Sequence, residues 1–156
     1  MMQDTILVDF VREVTSDRSR STLASGRIRV AFASGAVVQL DASNARERVW
    51  ADVLESLRTS RAPAYLEFDS TTRQVISLLL PRVYRVLAMQ DSQMVGDVEL
   101  ELEPSHAVHY LRRRHPRFDE LHKLLDTARH GNAGVLITES LDDSGIIDVR
   151  PAKSGK

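Results

Sequence analysis

Cysteine is missing from all 156 residues. That excludes a disulfide framework, thiolate metal sites and thiol nucleophiles, and it suits a reducing compartment. Charge of one sign is missing too. The formal net charge is -1, so no global field recruits nucleic acid or acidic lipid, and such a partner would need a local patch. No apolar run approaches the ~20 residues of a membrane helix. The first residues carry no basic n-region, and Asp9 interrupts the apolar run that follows, so no signal peptide is expected. There is no Gly-rich phosphate loop, no nucleophile elbow and no Cys/His pair. These absences point to a cytoplasmic protein with no membrane partner, no catalytic residues and no cofactor.

What is present is an ordinary globular composition, 42% hydrophobic and 28% charged, long enough for a real core. One pattern occurs twice. Residues 62–81 hold two apolar runs around a polar tip, closed by Pro81, and residues 132–151 do the same, closed by Pro151. Each reads as a β-hairpin. Ahead of each lies a helical stripe. Val49, Trp50, Val53, Leu54 and Leu57 mark the first, with Asn44 and Glu47 as a capping box. Phe118, Leu121, Leu124, Leu125 and Ala128 mark the second, from Pro116 to a stop at Gly131. A shift of 71 residues carries Trp50, Val53, Leu54 and Leu57 onto Leu121, Leu124, Leu125 and Ala128.

A hairpin precedes each helix. In residues 27–41 the apolar alternation selects a three-residue loop, Ala33-Ser34-Gly35, that pairs Val30 with Val38 and Ile28 with Leu40. It places Gly35 at a left-handed position. Residues 82–103 form the matching hairpin, with Val98, Leu100 and Leu102 alternating with Glu99, Glu101 and Glu103. The expected fold is therefore α+β: a single domain from two tandem ββαββ repeats, 27–81 and 82–151, with pseudo-twofold symmetry. Before it, residues 1–26 supply a helix or strand over 5–14 and a flexible serine-rich linker. The stripe of Ile6, Leu7, Phe10, Val11 and Val14 favours the helix. Residues 152–156 read as a disordered tail.

Leu102-Glu103-Pro104-Ser105 answers Leu40-Asp41-Ala42-Ser43 at an offset of 62, against 71 in the helix, so the second copy carries about nine extra residues between Ser105 and Pro116. The scaffold does without them in copy one, so they are the expected partner-binding segment: His106, His109, Tyr110, Arg112, Arg113, Arg114, His115 and Arg117. His106 and His109 stand three apart, which on a helix would suit a metal, but no closing ligand motif follows, so no metal site is assigned. Arg112, Arg113 and Arg114 beside Tyr110 and Phe118 could bind nucleic acid, though Glu99, Glu101 and Glu103 lie close in sequence. The expected function is a non-enzymatic protein-interaction or assembly module, taking a protein partner or a second copy. The alternative is a nucleic-acid-binding regulator using the arginine cluster.

Overall fold

The structure is a computed structural model that describes residues 4–16, 26–91, 96–141 and 145–152. The chain divides into two compact units, Met1–Leu80 and Pro81–Lys156. The first holds β1 (Asp4–Ser16), β2 (Arg27–Phe32), β3 (Val37–Asp41), α1 (Ala45–Ser60), β4 (Pro63–Asp69) and β5 (Val75–Leu79). The second holds β6 (Arg82–Asp91), β7 (Val98–Glu103), β8 (Val108–Leu111), α2 (Phe118–Gly131), β9 (Gly134–Glu139) and β10 (Ile146–Pro151). The α+β fold built on a repeated strand and helix pattern is thus as the sequence predicts.

Each unit is a five-stranded antiparallel sheet, ordered β3-β2-β1-β4-β5 and β10-β9-β6-β7-β8. Read from its own first strand, the order is the same in both. The sheets curl until their edges meet. Gln39 of β3 bridges Gln74 beside β5 in parallel, and Tyr110 of β8 bridges Gly145 beside β10 in the same sense. Three strands, a helix and two strands, with the first strand central and the third meeting the fifth in parallel, is the connectivity of an OB-type, partly open barrel.

The repeat is one strand longer at its front than the hairpin pattern suggests. Residues 5–14 belong to a strand, not the favoured helix, and β1 is the counterpart of β6. One extra residue in β1, Arg12, interrupts its pairing with β2 between Val11 and Glu13. Leu7, Val11 and Val14 pack with the core, while Ile6 and Phe10 are exposed. A bulge shifts the phase of a strand by one residue, so a strand apolar on both faces imitates a helical stripe. The second unit has its bulge at the matching place: Leu87 interrupts β6 opposite Leu102 and Glu101, as Arg12 interrupts β1 opposite Phe32 and Ala31.

This equivalence removes the insertion. Leu40 corresponds to Leu111, not to Leu102, and both are fully buried. Residues 106–115 contain β8, the counterpart of β3. From β3 onward the 71-residue spacing persists: Gln39 and Gln74 recur as Tyr110 and Gly145, and the bulged pairing of Phe68 with Val75 recurs as Glu139 with Ile146.

Within the first barrel Val30, Phe32, Val38, Leu40, Leu54 and Leu66 form the buried centre. Leu100, Leu102, Leu111, Leu121, Leu125 and Ile137 do so in the second. The helices depart from their expected faces in places. Val49 is 58% exposed and Glu47 is buried. Asn44 Oδ1 does accept from the Glu47 amide at 3.2 Å, but the Glu47 carboxylate turns to the Asp41 amide (3.2 Å) and to Gln74. It closes the barrel seam in place of a capping box. Asn132, at φ 53°, takes the left-handed position after α2 in place of Gly131. Gly35 is left-handed as expected, at φ 94°, and Val30 faces Val38. The linker after Ser16 and the tail after Ala152 lie outside the described residues.

Candidate functional site

The eight residues singled out in sequence fall into two groups, and β8 divides them. Strand alternation sends His109 and Leu111 inward and Val108 and Tyr110 outward. His109 is 6% exposed, at one end of the second core, with its ring 5.4 Å from that of Tyr84. Its Nδ1 lies 2.8 Å from Glu139 Oε2 and its Nε2 lies 2.7 Å from Ser105 Oγ. A carboxylate only accepts, so Nδ1 carries a proton, and in the neutral ring Nε2 then accepts from the serine hydroxyl. Both ring nitrogens are occupied, which separates His109 from the exposed His106. Among the described residues no group of three or more His, Asp or Glu side chains could hold a metal ion.

The second group runs from Tyr110 to Arg117. Arg112 stacks over Tyr110 at 4.6 Å and pairs with Asp97 at 3.2 Å. Arg113 stacks over Phe118 at 4.6 Å, and its amide donates to Asp97 at 2.8 Å. That amide, and then the Arg112 guanidinium, hold the Asp97 carboxyl below the usual carboxylate range. His115 Nδ1 accepts from the Arg117 amide at 3.0 Å. Arg117 in turn pairs with Glu120 and with Asp148, at 2.9 and 3.2 Å, and these two carboxylates hold it charged, Glu120 more strongly. Arg114 is exposed. Asp97 thus gathers the segment from one side and Glu120 and Asp148 from the other. An open cavity of about 450 Å³ lies against Arg113, Phe118 and His122, with Asp91 and Asp119 on its wall.

A further cavity, about 380 Å³, opens on the outer face of β7. Ala88, Gln90, Glu99, Glu101, Ser105 and Val108 line it. At this end of the barrel the sequence singles out His106 and His109 as site residues. In the sequence Ser105 reads as part of a strand end and Glu139 as part of a hairpin tip, because their relation to His109 exists only once the barrel closes.

Compared with known protein families, curated proteins and solved structures, the chain matches none. The OB-type description above therefore rests on strand connectivity alone.

Proposed function

We propose that the chain is a protein-interaction module that receives its partner on the outer face of β7 and β8. The supporting observation is the chemistry of that face. Glu99, Glu101 and Glu103 point outward while Val98, Leu100 and Leu102 fill the core. Arg85 pairs with Glu103 at 3.3 Å and Gln90 donates to Glu99 at 3.2 Å. Glu101 sits between Ala88 and the exposed Val108. Barrels of this connectivity receive oligonucleotides and oligosaccharides along their second and third strands. Here three carboxylates would repel a phosphate backbone. A basic segment with an apolar anchor suits them, its cations toward Glu99 and Glu101 and its anchor in the cavity beside Val108. Cysteine-free composition fits the same reading in a cytoplasmic setting.

A second reading, nucleic acid at Arg112–Arg114, is favoured by one feature. The guanidiniums of Arg112 and Arg113 sit over aromatic rings, and arginine planes can stack on bases. Anisotropy titrations of a lysine- and leucine-containing peptide and of a single-stranded oligonucleotide compare the two. The protein reading expects the peptide to bind, weakening with salt and in Glu101→Lys. Tighter binding of the oligonucleotide, lost in an Arg113→Ala, Arg114→Ala variant, would overturn it.

A further inference from the structure

The two barrels differ at one end of their cores in a way the fold does not require. His109 occupies the place of Val38, and Glu139 the place of Phe68, as the strand registers show. Val38 and Phe68 are buried apolar residues, so this barrel closes well without a polar pair. Ser105 meanwhile keeps the place of Ser34. Both serines stand in the four-residue turn between the second and third strands of their barrel, and both accept from the amide two residues on: Ala36 to Ser34 at 3.4 Å, Ala107 to Ser105 at 3.1 Å. Both turns therefore carry a serine that accepts from the amide two residues on, and the second of these serines faces an imidazole.

We infer that Ser105 is an activated nucleophile that accepts acyl groups from small activated esters, with His109 as its base and Glu139 as the group that orients and charges-up that base. The three side chains stand in the order such chemistry needs: hydroxyl to Nε2 at 2.7 Å, Nδ1 to carboxylate at 2.8 Å. This is the nucleophile, base and orienter arrangement that recurs on unrelated folds. Ser105 is half-buried and opens on the 380 Å³ cavity on the outer face of β7. In the step itself, Ser105 Oγ bonds to the acyl carbon and its proton passes to His109 Nε2. The ester C–O bond then breaks, and the leaving alkoxide takes that proton. The charge of Glu139 stabilises the imidazolium in between. Glu99 and Glu101 on the cavity wall favour an ester with a cationic leaving group. The Ala107 amide is already aimed at Oγ and not at an acyl oxygen, so this geometry supports acylation by activated reagents more than rapid turnover.

The test uses the intact protein and a fluorophosphonate, which reports the same activation: an Oγ–P bond forms, fluoride leaves and the proton goes to His109. Intact mass and peptide mapping should show one adduct, on Ser105, with Ser34 unmodified. General-base activation should make Ser105 react at least ~100-fold faster than Ser34. Glu139→Gln, which cannot supply the charge, should slow labelling with the melting temperature retained, and Ser105→Ala should abolish it. No adduct on the folded protein, or equal labelling of Ser34 and Ser105, would overturn the inference. That comparison lies within the wild-type chain and needs no variant to fold.

Discussion

Arg113 fills the space a side chain at Gly96 would need: a Cβ added to Gly96 would stand 2.8 Å from Arg113 Cγ and 3.1 Å from its Cβ. Gly96 also has φ 82°, where a side chain is strained. The base of the Arg113 side chain cannot swing clear as a distant tip could. Gly96→Ala should therefore cost more than Gly35→Ala, where φ is 94° but nothing lies within 4 Å. Gly35→Ala is expected to lose about 1 kcal/mol from backbone strain alone. Urea denaturation of both variants measures the difference, and a cost at Gly96 no larger than at Gly35 would show that Arg113 moves freely.

A second pair of variants tests which apolar residues hold α1. Leu54 is fully buried, and Leu54→Ala should cost about 2–5 kcal/mol. Trp50 is only half-buried, with Arg46 lying 4.8 Å over its ring. Trp50→Ala should then cost less than the ~3–5 kcal/mol of a core aromatic. Leu125, at the place of Leu54 in the second barrel, should behave as Leu54 does.

Acid should weaken the tie between Asp97 and the arginine segment. The Asp97 carboxyl is depressed in the fold, chiefly by the Arg113 amide. A depressed carboxyl contributes stability that is complete above its unfolded value, about 3.9, and is lost as pH falls through the lower folded value. Asp97→Asn keeps an acceptor oxygen but no charge. Its deficit against wild type should be largest near pH 7 and should shrink below about pH 4. Urea midpoints across that range check the sign, and a deficit that grows in acid would contradict it.

Much of this architecture was legible in the chain because burial imposes period. Val98, Leu100 and Leu102 alternate cleanly, and the stripe from Phe118 to Ala128 repeats the spacing seen in α1. Gly35 was legible for the same reason, since only one loop length brings Val30 opposite Val38. The errors arose where two signals shared a form. Leu40-Asp41 and Leu102-Glu103 both end a strand with an acid, but Leu40 ends the third strand of its barrel and Leu102 the second. If the two are equated, β8 becomes an insertion and β1 has no counterpart. His109 was visible as a residue but not as an inward one, because a four-residue strand offers little alternation to read. Its contacts with Ser105 and Glu139 depend on barrel closure, which local pattern does not encode.

The His109–Glu139 pair can be tested as a core substitution apart from any reactivity. His109→Val alone leaves the partly buried Glu139 carboxylate without its imidazole donor, a loss worth about 1–3 kcal/mol. Adding Glu139→Phe reproduces the residues that the first barrel uses at these positions, Val38 and Phe68. Replacing both members of a buried polar pair by apolar groups that pack well is commonly neutral or stabilising. The double variant should therefore recover the stability lost in the single one and should equal or exceed wild type. Equilibrium urea denaturation of the two single variants, the double variant and wild type gives the coupling between the positions. A fully recovered double variant means that the second barrel holds a polar pair where an apolar pair would serve folding better. A double variant less stable than either single one would make His109 and Glu139 structural members of that core, each fitted to neighbours the first barrel does not share.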